Sequence, residues 1–135
     1  MRRKARILLA KVGLDTHDIG IRFVAKQLRD RGMEIIYLGQ YQTPESIVTA
    51  AIQEAADIIG LSFTGGSHLA QSAEVLNLIK QKGAGDITVI VGGVIPHTDI
   101  SALKEMGVKE VFAHTRMSRI VTSVEKIVNE KKGER

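Results

Sequence analysis

Short runs rich in β-branched residues alternate with amphipathic stretches along the whole chain, and this alternation restricts the fold more than any other feature. Residues 6–12, 33–38, 57–63, 87–91 and 108–113 read as five strands. Between and after them, residues 19–31, 43–55, 67–82, 99–106 and 118–131 read as helices. Ile21, Val24, Ala25 and Leu28 share one face of the first helix, and Gly32 stops it. Thr43 offers an N-cap with Pro44 at the first helical position, ahead of the stripe Ile47, Val48, Ala51, Ile52 and Ala55. Ile87-Thr-Val-Ile-Val91 is apolar almost throughout, as a strand covered on both faces requires. Regular alternation implies right-handed parallel crossovers. The expectation is one α/β domain over residues 1–135, a flavodoxin-like (Rossmann-like) doubly wound five-stranded parallel sheet in three layers, order 2-1-3-4-5.

Composition narrows the chemistry. The 135 residues contain no cysteine, which excludes disulfides, thiolate nucleophiles, iron–sulfur clusters and zinc ribbons and suits a reducing cytoplasm. The net charge is +4, but Arg2, Arg3, Lys4, Arg6 and Lys126, Lys131, Lys132, Arg135 crowd the two ends without interleaved aromatics. That is a poor footprint for nucleic acid. The basic start runs straight into a short strand, too short for a signal peptide or a membrane span. A cytoplasmic protein is expected, with neither nucleic acid nor membrane as partner.

In a doubly wound sheet of this order, ligands bind beyond the carboxyl ends of the strands, at the switch point between strands 1 and 3. Three loops are expected to meet there: residues 13–20 (GLDTHDIG), 62–68 (SFTGGSH) and 92–98 (GGVIPHT). Asp15 and Asp18 in the first loop would repel a flavin phosphate. The third strand ends Leu61-Ser62-Phe63-Thr64, without the phosphoacceptor aspartate of a receiver domain. Taken singly, the loop residues have ordinary readings. Asp15 and Asp18 suit a helix N-terminus, His17 a solvated loop, Gly92-Gly93 a turn, Ser62 a strand-end hydroxyl and Lys11 a strand-end charge. His68 reads as a helix-start polar residue, and His97 and His114 as loop residues.

Taken together, D-x-H-x-x-G at Asp15, His17 and Gly20, then Ser62, then Gly92-Gly93 resembles the cobalamin-binding domain over nearly the whole chain. Lys11-x-Gly-Leu-Asp15-x-His17 looks most like the small subunit or C-terminal cobalamin domain of the acyl-CoA carbon-skeleton mutases, the methylmalonyl-CoA, isobutyryl-CoA and 2-hydroxyisobutyryl-CoA mutase group.

The resemblance implies a role for each residue. His17 would replace the cofactor's dimethylbenzimidazole as lower axial ligand of cobalt, a metal that suits neutral imidazole. Asp15 would accept from the other ring nitrogen and fix the tautomer, and Lys11 would pair with Asp15. The displaced nucleotide tail would enter a slot beside strands 3 and 4, where Ser62 hydrogen-bonds the base and Gly92 and Gly93 admit it. Gly20 would allow close approach at the first helix. Asp18 belongs to the same cofactor-binding loop, and Thr64 and Gly65 are further candidates for the pocket.

The function so implied is that of a cobalamin-binding small subunit holding adenosylcobalamin base-off and His-on for radical isomerisation. It would be inactive alone and would need a large (β/α)8 barrel subunit that binds acyl-CoA, in a hetero-oligomer. The alternatives are a corrinoid carrier of a methyltransferase, the small subunit of glutamate mutase or an aminomutase, and a non-catalytic cobalamin sensor. Thr16, Ile19 and Thr64 depart from the commoner mutase pattern, and Phe112-Ala-His-Thr-Arg116 lacks its Gly-Pro turn. These departures bear on the substrate subfamily more than on the cofactor.

Overall fold

A computed structural model describes residues 4–12 and 19–133. The strands are β1 (Arg6–Val12), β2 (Glu34–Gln42), β3 (Ile58–Phe63), β4 (Thr88–Gly93) and β5 (Glu110–Ala113). The helices are α1 (Ile19–Asp30), α2 (Pro44–Gln53), α3 (His68–Gln81), α4 (Ile100–Met106) and α5 (Met117–Gly133), with a 3-10 turn at His97–Asp99. All strand pairs are parallel and the order is β2-β1-β3-β4-β5, as expected from the sequence.

Local chemistry sets the boundaries. Gly32, at φ +92°, reverses the chain after α1 in a conformation that a side chain would strain. At α2, Thr43 Oγ1 accepts from the Ser46 amide at 3.1 Å, and Ser46 Oγ accepts from the Thr43 amide at 3.0 Å. This reciprocal pair satisfies two amides that the helix start would otherwise leave bare, with Pro44 in the position where no amide is needed.

Because side chains alternate along a strand, each face of the sheet has its own core. Ile7, Leu9, Ile58, Ile90 and Phe112 pack against Ile21, Val24 and Leu28 of α1 and Val121 and Val124 of α5. On the other face Leu8, Ala10, Ile59, Leu61, Phe63 and Val91 meet Ile47, Val48 and Ala51 of α2, Val75 and Ile79 of α3 and Leu103 of α4. Each fully buried aliphatic side chain contributes about 1.5–3 kcal/mol. The three layers follow from these two cores.

Several boundaries differ from the sequence reading. β4 continues through Gly92 and Gly93, which were expected to open a loop, because both stay in register with Phe112 and Ala113 on β5 and with Ser62 and Phe63 on β3. A backbone ladder needs no side chains. β2 runs past Leu38 to Gln42, with register shifts against β1 between Leu9 and Val12. β5 begins at Glu110 rather than 108, since the Val108 amide donates to the Leu103 carbonyl and closes the end of α4. The 3-10 turn takes the start of the expected 99–106 helix.

Candidate functional site

One row of residues crosses the carboxyl end of the sheet. Lys11 on β1 stands in register with Ser62 on β3, Ser62 with Gly92 on β4, and Gly92 with Phe112 on β5. Two residues earlier, on the same face, Leu9, Gly60 and Ile90 form a parallel row. Each row thus contains a glycine where neighbours carry side chains. The missing volume lies under α1 and α5 and forms a cavity of about 510 Å³. Its walls include Ile21 and Val24 of α1 and Met117 and Ile120 of α5.

The glycines differ in what they do. A Cβ on Gly60 would lie 2.6 Å from Leu9 Cδ2, so Leu9 already leans into the room left by the missing side chain. A Cβ on Gly92 would meet only Phe112 atoms, at an ordinary 3.7 Å, so this glycine relieves no clash and instead leaves the cavity open. Gly93 is a backbone requirement. Its φ is +118°, and a Cβ would run into the Phe63 carbonyl oxygen, which itself accepts from the Val94 amide at 2.8 Å. The chain therefore crosses tightly over the end of β3 as it leaves β4.

Polar atoms are few and clustered. Lys11 is almost fully buried, 1% exposed, and its Nζ donates to Ser62 Oγ at 3.5 Å, the long limit of a hydrogen bond. A buried ammonium is costly unless it is partnered, and Lys11 has further interactions beside this one. The cavity floor thus carries one hydroxyl and one cation beneath largely apolar walls.

Lys11, Gly20, Ser62, Thr64, Gly92 and Gly93 all line this cavity. Gly20 faces Met117 Cε, 3.7 Å from where its Cβ would stand. Gly65 does not line it. β3 ends at Phe63, and an added Cβ on Gly65 would meet nothing within 4 Å. Asp15, His17 and Asp18 lie outside the described residues, in the segment joining β1 to α1, two elements that both line the cavity. Lys11 is described with Ser62 as one partner, and its expected pairing with Asp15 lies outside the described residues.

His68 does begin α3, but it is 4% exposed rather than a solvated helix start. Its Nε2 lies 2.7 Å from Asp99 Oδ2, and its ring meets Phe63 edge-on at 6.4 Å. The pair joins the start of α3 to the 3-10 turn on the opposite face of the sheet from the cavity, and His97 is exposed. His114 is more than a loop residue. It lines the cavity with Thr115 and holds a left-handed φ of +51°. Gly60, Phe112 and Met117 were also missed as lining. A glycine inside an aliphatic strand was the available signal for Gly60. The other two carry none, because apolar residues facing a cavity read like any core residue.

Among the described residues no three His, Asp or Glu side chains are grouped to hold a metal ion. No helix among them is long and apolar enough to cross a membrane.

Comparison with known proteins agrees with this geometry. The chain is 45% identical over 124 residues to the 2-hydroxyisobutanoyl-CoA mutase small subunit of Aquincola tertiaricarbonis, covering 91% of each chain. It is 42% identical to the pivalyl-CoA mutase small subunit of Xanthobacter autotrophicus, covering 82% of this chain and 74% of that one. Among solved structures, a cobalamin-binding protein from Desulfitobacterium hafniense superposes with a TM-score of 0.80 at 26% identity, covering 92% of this chain and 59% of that one. The B12 binding domain model matches residues 5–133, and the chain belongs to that family.

Proposed function

We propose that the chain, acting as one domain over residues 1–135, is the cobalamin-carrying small subunit of an acyl-CoA carbon-skeleton mutase. The observation that carries this reading is the cavity floored by Gly60, Ser62 and Gly92 under α1 and α5. Its volume of about 510 Å³ falls in the ordinary range for a small-molecule site. Apolar walls with a single floor hydroxyl suit a flat, mostly apolar heterocycle with a hydrogen-bonding nitrogen, which is the chemistry of dimethylbenzimidazole. The similarity to two acyl-CoA mutase small subunits supports the same assignment.

On this reading the cavity and the 13–18 segment divide the work. Ser62 holds the inserted base, Thr64 and Gly93 frame the entrance, and Gly20 and Gly92 leave the passage free of side chains. His17 presents imidazole nitrogen to cobalt, and Asp15 accepts from the opposite ring nitrogen and so sets the tautomer. Asp18 stands in the same loop. Lys11 is the cation that pairs with Asp15. When bound, adenosylcobalamin supplies a weak cobalt–carbon bond as a source of radical chemistry.

The chain contributes cofactor binding, and the acyl-CoA site belongs to a large subunit built on a (β/α)8 barrel, giving a hetero-oligomer. Reconstitution tests this. Mixed with such a subunit and adenosylcobalamin, the chain is expected to support isomerisation of at least one thioester from a panel including 2-hydroxyisobutanoyl-CoA and pivalyl-CoA. His17→Ala is expected to abolish it. Unchanged turnover by that variant would overturn the reading.

A further inference from the structure

A second opening adjoins the cavity. Where β5 passes into α5, His114, Thr115, Arg116, Ser118 and Arg119 line an open groove of about 610 Å³. His114 and Thr115 also line the apolar cavity, so the two spaces share a wall. No carboxylate lines the groove, and the first turn of α5 carries no acidic residue.

Its arginines differ from several other cations of the surface, which are paired. Arg6 pairs with Glu34, Lys26 with Asp30 and Arg31 with Glu125, at 2.7, 3.0 and 3.0 Å. Among the described residues neither Arg116 nor Arg119 has a carboxylate partner, although both are exposed. They stand three residues apart, a spacing that puts neighbours on one side of a helical turn. The arrangement is an electropositive rim at one side of the entrance, whose other walls among the described residues include the uncharged Gly20, Thr64, Gly93 and Met117.

Resting on the function proposed above, we infer that Arg116 and Arg119 form the seat of the phosphodiester that joins the cofactor's nucleotide tail to its corrin ring. The corrin periphery carries neutral amides, and the phosphodiester is the one anionic group of the cofactor. With the base inside the cavity and the ring outside, this group has to pass the entrance. Guanidinium pairs phosphate oxygens with two parallel donors, which a lone hydroxyl cannot do. The groove thus selects complete cobamides over corrinoids that lack the phosphate.

Binding of cobalamin, cobinamide phosphate and cobinamide to the full chain tests the inference, with R116A/R119A and R116K/R119K as variants. For the double alanine variant, cobalamin and cobinamide phosphate are expected to bind roughly tenfold more weakly at low ionic strength, the order for two partly exposed charge-assisted contacts. Cobinamide affinity is expected to stay the same, and the lysine variant to recover most of the loss. In 0.5 M salt the gap is expected to shrink. Equal weakening of cobinamide, or no weakening of cobalamin, would overturn the assignment. A wild-type chain that binds no cobalamin would instead overturn the function on which it rests, before any variant is made.

Discussion

Ser62 Oγ lies 3.5 Å from Lys11 Nζ, across two strands held in register, so the floor hydroxyl is oriented by a buried cation on its neighbour. With one lone pair turned toward the ammonium, the hydroxyl proton is free to point into the cavity. Ser62→Ala is expected to fold normally, with its thermal midpoint within a few degrees of wild type. Its affinity for cobalamin should fall roughly fivefold to tenfold, the loss of about 1 kcal/mol that one hydrogen bond carries. Titration of the cofactor's absorbance change measures this, and an unchanged Kd would remove Ser62 from the site.

The two consecutive glycines at the end of β4 should fail in opposite ways. Gly92→Val meets no backbone clash and places its side chain in the cavity, so stability should change by less than about 1 kcal/mol while cobalamin affinity falls at least tenfold. Gly93→Ala forces a side chain into a left-handed position against the Phe63 carbonyl, at a cost of about 3 kcal/mol or more. Urea denaturation of the two apo variants separates them, and equal destabilisation would contradict the different roles assigned.

The His68–Asp99 pair locks the start of α3 to the turn before α4. Removing either partner leaves a poorly solvated polar group, so His68→Ala and Asp99→Ala should each cost about 1–3 kcal/mol. The double variant should lose less than the sum, by a coupling energy of about 1 kcal/mol or more. Additive losses in a double-mutant cycle would show that the contact holds nothing together.

Thr43→Ala serves as the control for effects on cofactor. It removes the cap of α2, remote from the cavity lining, and should cost about 1 kcal/mol of stability while leaving cobalamin affinity unchanged. A variant that weakened the cofactor as much as Ser62→Ala would show that affinity merely follows global stability.

The fold was readable because its determinants are local and periodic. Five aliphatic runs, the stripe of Ile21, Val24 and Leu28, and the Thr43-Pro44 start each encode an element within a few residues. The glycine ladder of β4 was less visible, since Gly92 and Gly93 carry turn chemistry locally, and only pairing with Phe112 and Ala113 keeps them in the sheet. At the site, Ser62, Gly92 and Gly93 stood out because their motif spacing is linear in sequence. Gly60, Phe112 and His114 did not, because they reach the cavity through cross-strand register and a backbone turn. The burial of His68 was hidden for the same reason, as its partner Asp99 belongs to a different crossover.

Electron paramagnetic resonance of cob(II)alamin bound to nitrogen-15-labelled chain tests the central claim most directly, because the axial nitrogen's nuclear spin splits the cobalt lines. The account predicts doublets, from a protein nitrogen on cobalt with the benzimidazole displaced, and their loss in His17→Ala. Triplets from the cofactor's own unlabelled base would contradict it.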